Sequence, residues 1–251
     1  MWETFIIQPM LNTLLWIYTL LGQNFGLSII LFTILVRLIL YPITAQQQKS
    51  AQAMQELQNS KKWKEINKKY KDDKEKLAAE QMKLYQEMGV SPFGSCLPSL
   101  VQFPIIIGLY QAVIRALADT PLPLLHLSKS LYPFVDSASL IPLNSHFLWM
   151  DLGQPERLNV AGIGIPVLAI LVVITTYLQT KLMAMPTSGD NAQAAQMTGM
   201  MNVYMPLMLG YFAYAYASGL ALYFVASNIM TVVQYAAMGK LDWSKLLPSS
   251  R

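Results

Sequence analysis

Residues 25–43 read FGLSIILFTILVRLILYPI, and this stretch decides the fold class. It is almost wholly apolar, and its 19 residues are enough for an α-helix to cross the hydrocarbon core of a bilayer. Arg37 breaks the pattern. A cationic side chain within a membrane span costs roughly 2.5 to over 10 kcal/mol, depending on the scale used. We expect a charge kept at that cost to face a partner, a wet cavity or the membrane interface.

Charge is distributed unevenly along the chain. Only 13% of the 251 residues are charged, against about 25% in soluble domains. Of the 32 charged residues, 17 lie between Lys49 and Glu87, which leaves the rest nearly charge-free, as membrane spans require. The net charge of +4 is too modest to indicate nucleic-acid binding. The single cysteine, Cys96, excludes an internal disulfide, and the two histidines lack the spacing of metal ligands.

The hydropathy pattern predicts an all-α integral membrane protein with five transmembrane helices. The spans are expected at residues 25–43, 92–117, 160–183, 201–217 and 218–238. Residues 1–24 predict an interfacial amphipathic helix with Asn12 off its apolar stripe, and a sixth span is the alternative. Residues 44–91 combine lysines and acids with apolar stripes, which predicts a cytoplasmic hairpin of two helices that turns near Lys71–Lys74. The remaining segments are an irregular extracytoplasmic loop at 118–159, a cytoplasmic loop at 184–200 and a cytoplasmic tail at 239–251.

The basic residues predict the orientation. The hairpin, Lys181 at the end of the third span and the tail all fall on one side of the membrane, which the positive-inside rule identifies as the cytoplasm. Residues 118–159 carry two basic and four acidic residues and fall outside. The expected topology is N-out and C-in in the inner (plasma) membrane, with a thylakoid-type membrane as the alternative. No cleavable signal peptide is evident in MWETFIIQPM.

None of the five expected spans contains Asp or Glu, which excludes an intramembrane ion pair for Arg37 and a carboxylate proton relay. Snorkelling is the plain alternative, because the headgroups would lie only about 9 Å away. Neutral polar side chains recur on four spans, and together they favour a shared hydrophilic cavity over separate interhelical hydrogen bonds. They are Thr33; Ser99, Gln102 and Gln111; Thr175, Thr176 and Gln179; and Ser227, Asn228, Thr231 and Gln234. Protease, zinc and phosphate-loop motifs are missing, so we expect no enzyme.

Three segments resemble the YidC/Oxa/Alb family of membrane protein insertases: LFTILVRLILYPIT, VSPFGSCLPSLVQFPIIIGLYQAV and SGLALYFVASNIMTVVQ. The order of elements is similar over essentially the whole chain. The resemblance implies a groove within the bilayer that is closed toward the outside, open to the cytoplasm and to lipid, and contains Arg37. It also implies groove roles for Thr33, Gln102, Gln179 and Tyr223, to which the polar pattern adds Asn228. Phe224 stands where members commonly carry a second tyrosine.

The resemblance implies a function without catalysis, cofactor or metal. The protein would move short hydrophilic segments of nascent membrane proteins through the groove and release their spans into lipid without nucleotide hydrolysis. The charged hairpin would receive substrates, around Lys61, Lys62, Lys68 and Lys69. We expect a monomer in the lipid bilayer, with the ribosome and the Sec translocase as further candidate partners. From these 251 residues we expect neither the large periplasmic domain and extra N-terminal span nor the long basic tail of some members.

Two other functions stay open at this point. One is a channel or transporter for a small anion, with Arg37 as its selectivity charge. It requires a polar path through the full membrane, whereas the outer parts of the spans are apolar. The other is an assembly chaperone that folds membrane proteins without inserting them.

Overall fold

The computed structural model describes residues 1–70, 73–89, 97–117, 127, 130–133, 143–160, 162–183 and 192–239. This part of the chain is mostly helical. A π-helical turn at Glu3–Ile7 leads into α1 (Gln8–Leu20), α2 (Phe25–Ile39), α3 (Tyr41–Asn59), α4 (Lys61–Lys69), α5 (Lys74–Glu87), α6 (Leu97–Ala116), α7 (Val167–Met183), α8 (Ala192–Ala215) and α9 (Ser218–Ala237).

The described chain is mostly helical, as expected, and two short β-hairpins accompany the helices. Strands β1 (His146–Phe147) and β2 (Met150–Asp151) pair antiparallel, as do β3 (Leu158–Val160) and β4 (Ile163–Ile165). The second hairpin occupies the expected start of the third span at residue 160. Gly162, with φ of 83°, supplies its turn, and the helix begins only after Pro166.

Among the described residues, α9 alone is both long and apolar enough to cross a bilayer by itself. Helices α2 and α3 meet that condition together, as a pair bent by 56°, and α7 is a shorter apolar helix. The number of five spans therefore stays a prediction. Within the first expected span, residues 25–43, α2 ends at Ile39 and α3 begins at Tyr41, with Pro42, which lacks an N–H, in the first turn of α3.

A buried apolar cluster joins α1, α2, α6, α7, α8 and α9. Helix α1 lies within this cluster, with Leu11 and Leu14 fully buried. Asn12, expected off the apolar stripe, is also fully buried. Its amide donates to the carbonyls of Gln8 and Ser130 at 2.8 and 3.0 Å, and its Oδ1 accepts from the Tyr132 N–H at 2.7 Å. These bonds satisfy the polar group in the core, and the interfacial position of α1 stays a prediction.

Residues 143–160 and 162–165, which we call the cap, close one end of the helix bundle. The N–H groups of Ser218 and Gly219 donate to the carbonyls of Gln154 and Leu152 at 2.8 and 3.0 Å, which ties the start of α9 to the cap. The Phe147 ring packs so closely on Gly26, in the first turn of α2, that an added Cβ would lie 2.1 Å from Cγ of the ring.

The charged segment folds as three helices, whereas two were expected. Ser60 interrupts the first arm in extended geometry (ψ 152°), and its hydroxyl caps α4 by accepting from the Trp63 N–H at 3.3 Å. Asp73 caps α5 by accepting from the Lys76 N–H at 3.1 Å. Leu57, Trp63 and Leu84 form a separate small core. Of the expected turn, residues 71–72 lie outside the described residues.

Candidate functional site

The buried face of helix α9 changes from apolar to polar side chains along its length. Its first turns bury Leu220, Ala221 and Leu222 in the apolar cluster. Buried polar side chains then follow at steps of four, four and three residues, and they therefore share one helical face. We call them the polar stripe: Tyr223, Ser227, Thr231 and Gln234, all at most 4% exposed.

Arg37 lies opposite the polar stripe, in the last turn of α2. Its Nε donates to Oγ of Ser227 at 3.1 Å, and Nη2 donates to the same oxygen. The Tyr223 hydroxyl hydrogen-bonds with Ser227 and accepts from Nε2 of Gln102 on α6. Helices α2, α6 and α9 thus meet around the Ser227 hydroxyl.

No carboxylate pairs with Arg37 in the described part of the chain. The ion pairs there join Lys76 to Asp73, Lys83 to Glu80 and Arg115 to Glu3. Ser227 uses two of the five N–H donors that a guanidinium carries. The half-buried charge is therefore held by a neutral hydroxyl and keeps donors for an anionic ligand.

Unpartnered amides lie where the bundle meets the hairpin. Nε2 of Gln234 donates to the Arg37 carbonyl at 2.9 Å, while its buried Oε1 has no partner among the described residues. Gln48 of α3 is 5% exposed, and its amide lies beside Tyr235 without a well-formed hydrogen bond. A buried polar group without a partner costs about 1–3 kcal/mol, so these amides favour water or a polar ligand at this end.

Three other predicted groove residues make separate contacts. Thr33, 1% exposed, lies one turn before Arg37, but its hydroxyl donates to the Ile29 carbonyl at 2.6 Å. Asn228 faces α7, where its amide donates to the hydroxyls of Thr175 and Thr176 at 3.0 and 2.8 Å. Gln179 has a buried Oε1 with no partner in the described residues. Of the six predicted groove residues, Arg37, Gln102 and Tyr223 are brought together.

Sequence reasoning gave Ser227 no special weight among the polar residues of the last span. Its spacing of four residues from both Tyr223 and Thr231 was the signal that could have found it. Gln48 carried no signal, because it belongs to the charged segment. Gln111 was expected near the cavity, but its Oε1 accepts from the Trp2 indole at 3.2 Å. The Ser99 side chain lies outside the described residues.

The four predicted substrate-receiving lysines, Lys61, Lys62, Lys68 and Lys69, are all exposed on α4. Beside them, a groove of about 260 Å³ runs between α4 and α5. Lysines and glutamates alternate around its apolar floor, so this surface has mixed charge. The hydrogen bond that Lys83 donates to the Glu80 carboxylate raises the pKa of Lys83, and the hydrogen bond that Asp73 accepts from the Lys76 N–H lowers the pKa of Asp73.

The family model described as "60Kd inner membrane protein" matches residues 16–244. The membrane protein insertase MisCA of Bacillus subtilis is 33% identical over 238 residues, which cover 93% of this chain and 77% of that relative. The membrane protein insertase YidC of Fusobacterium nucleatum is 38% identical over 211 residues, which cover 84% of each chain.

A solved structure supports the same relationship. The crystal structure of an active YidC insertase, with its first transmembrane domain resolved, matches with a TM-score of 0.54 and 30% identity. The match covers 89% of this chain and 43% of the solved chain. A match over most of the chain, in sequence and in fold, makes this protein a member of the YidC/Oxa family of membrane protein insertases.

Proposed function

We propose that this protein inserts nascent membrane proteins into a bacterial cell membrane, and that Arg37 with the polar stripe is its working site. The family and the names of its members support the general activity. The observation that carries the specific site is the Arg37 guanidinium, held by the Ser227 hydroxyl with no carboxylate partner among the described residues. Such a charge is ready to attract an acidic residue of a passing substrate.

The dimensions of the stripe suit a half-membrane path. A hydrophilic segment that enters hydrocarbon without hydrogen-bond partners costs several kcal/mol for each polar group. From Tyr223 to Gln234 the stripe extends about 16 Å, roughly half the 30 Å hydrocarbon core. Its hydroxyls and amides would serve the segment over that distance. The apolar span that follows would then partition into lipid, which supplies the driving force without nucleotide hydrolysis.

The two ends of the bundle support a groove that opens toward the hairpin. At the cap end, backbone hydrogen bonds join α9 to the cap, and the Phe147 ring packs on Gly26 of α2. At the other end lie the buried Gln48 amide and Oε1 of Gln234, which have no hydrogen-bond partner among the described residues. We therefore propose five spans in an N-out, C-in topology, with the cap outside and the hairpin in the cytoplasm.

Partners follow from this arrangement. The hairpin would receive nascent chains, delivered by the ribosome directly or through the Sec translocase, and one copy would suffice. An anion channel is disfavoured, because Phe25, Ile29 and Leu220 fill the bundle between the stripe and the cap.

Insertion of short single-span substrates by the reconstituted protein tests the site. With an acidic tail on the substrate, Arg37→Ala and Arg37→Glu should reduce insertion, and Arg37→Glu should reduce it more. Arg37→Lys should retain most of it if charge is what matters. With a neutral tail, the variants should differ little from the parent.

Arg115→Ala is the matched control, because it removes an arginine that pairs with Glu3 at 2.5 Å, away from the stripe. The proposal fails if Arg37→Glu inserts acidic-tailed substrates as well as the parent does. Ion flux through the purified protein would revive the channel.

A further inference from the structure

The tip of the β1–β2 hairpin is apolar, exposed and held in an unfavourable backbone conformation. Leu148 has φ of 56°, in the left-handed region that glycine and asparagine adopt more easily. Its side chain is 74% exposed, and that of Trp149 is 47% exposed. A turn that faced only water would be better served by polar residues or glycine. Contact of the tip with an apolar medium would explain why Leu148 and Trp149 are both apolar and exposed.

The cap holds Trp149 in a fixed orientation. Its indole N–H donates at 2.9 Å to Oε1 of Glu156, a carboxylate that is 5% exposed. Oε2 of Glu156 accepts from the N–H of Leu168 at 3.1 Å, in the first turn of α7. The polar edge of the indole is therefore satisfied within the protein, and its apolar surface faces outward.

The cap contacts the ends of α2 and α8 next to residues that are typical of membrane interfaces. Its neighbour Phe147 packs on the first turn of α2. Arg157 donates to the hydroxyl of Tyr214, near the end of α8, at 3.0 Å, and its guanidinium carbon lies 5.0 Å from the centre of that ring. Tyrosine, tryptophan and arginine concentrate where hydrocarbon meets lipid headgroups. The cap thus combines residues that are typical of a membrane interface with an exposed apolar tip.

We propose that Leu148 and Trp149 insert into the outer-leaflet interface and anchor the cap to the bilayer, with Arg157 and Tyr214 at the headgroup level. The occupant of this surface is lipid, because the tip is continuous with helix ends that border the membrane. This inference rests on the N-out topology of the proposed function. It requires no insertase activity, so the two can fail separately.

Quenching of Trp149 fluorescence tests the anchor. The full chain would carry Trp2, Trp16, Trp63 and Trp243 as phenylalanine and be reconstituted in vesicles of phosphatidylcholine and phosphatidylglycerol. Lipids brominated on acyl carbons near the headgroup should quench Trp149 strongly, and iodide in the water should quench it weakly. Leu148→Asn suits the same backbone but is polar, and it should lose most of the lipid quenching.

Two further variants separate anchoring from folding and from insertion. Leu148→Gly relieves the backbone, so its thermal midpoint in detergent should equal or exceed that of the parent while lipid quenching falls. Arg37→Ala should leave the quenching unchanged even where insertion is lost. The proposal is overturned if iodide quenches Trp149 while brominated lipid does not, or if Leu148→Asn leaves lipid quenching intact. Shielding from both quenchers would indicate a protein partner and would also overturn it.

Discussion

Nε2 of Gln234 donates to the backbone carbonyl of Arg37 at 2.9 Å, while Ser227, two turns earlier on α9, holds the Arg37 side chain. One helix therefore fixes both the charge and the backbone of the same residue. Arg37 stands two residues before the end of α2, where the chain bends by 56° into the hairpin. The Gln234 contact thus links the position of the charge to the direction in which the hairpin leaves the bundle.

Removing the Ser227 hydroxyl should disorder the guanidinium without removing its charge. We expect Ser227→Ala to lower stability by about 1–3 kcal/mol, because buried donors lose their acceptor. Insertion of acidic-tailed substrates should fall, but less than in Arg37→Ala. The measurements are thermal unfolding in detergent and insertion into vesicles. Ser28→Ala is the control, since among the described residues that buried hydroxyl bonds only to the Asn24 carbonyl, at 2.7 Å. An equal loss of insertion in Ser227→Ala and Ser28→Ala would contradict the prediction.

Cutting the Gln234 contact should loosen the hairpin. In a Cys96→Ser background, spin labels on the exposed positions Lys68 and Leu207 would report the distance between α4 and α8. We expect Gln234→Ala to broaden that distance distribution, because the bend loses the donor that fixes it. Gln111→Ala removes an amide that bonds to Trp2 instead, and it should leave the distribution unchanged. A distribution of parental width in Gln234→Ala would show that the bend is fixed by other contacts.

Two glycine-to-alanine substitutions should change the free energy of unfolding in opposite directions. At Gly26 the new Cβ would overlap the Phe147 ring, and we expect a loss of about 1–3 kcal/mol from overpacking. At Gly199 in α8 a Cβ meets nothing within 4 Å, so the helix should gain about 0.5–1 kcal/mol. Unfolding in detergent measures both. The double variant Gly26→Ala, Phe147→Ala should lose less than the sum of its single variants; simple additivity would argue against the contact.

The cap of α5 should depend on pH. The hydrogen bond from the Lys76 N–H lowers the pKa of Asp73 below its normal value of 3.8. A lowered folded-state pKa means that the cap contributes fully above the normal value and is lost as pH falls through the lowered one. The protection of the Lys76 amide, meaning its exchange rate relative to that of the unfolded chain at the same pH, should therefore fall only at strongly acidic pH. Asp73→Asn caps without titrating, so the protection of its Lys76 amide should not depend on pH in this range; a matching acid transition in that variant would assign the effect to another group.

Some of this fold could be read from sequence because hydropathy alone determines it. Helix α9 spans 218–237 against an expected 218–238, since its apolar run is continuous and Gly239, with φ of 65°, ends it. The bend after Ile39 escaped prediction, because apolar residues continue through it to Ile43. The β-hairpins escaped as well, because strands of two or three residues are too short to display a period.

The central residue of the site could be predicted from the sequence, but its hydrogen-bond partners could not. Arg37 stands out because a charge in an apolar stretch is conspicuous in any sequence. Its binding to Ser227, and not to Asn228 or Thr231, depends on how α2 packs against α9, which no local pattern encodes. The polar pattern of the spans indicates Gln102, and the family resemblance indicates Gln102 and Tyr223; their mutual hydrogen bond follows from the same packing.

The contact of α2, α6 and α9 around Ser227 has a consequence for the synthesis of the protein itself. The ribosome adds Arg37 long before it adds Ser227, because the two residues are 190 positions apart in the chain. Throughout that interval the arginine lacks the oxygen that holds it in the finished fold. A half-made copy therefore has no assembled site with which to place its own later helices. The helices that precede α9 therefore take their places before the oxygen that holds Arg37 has been made.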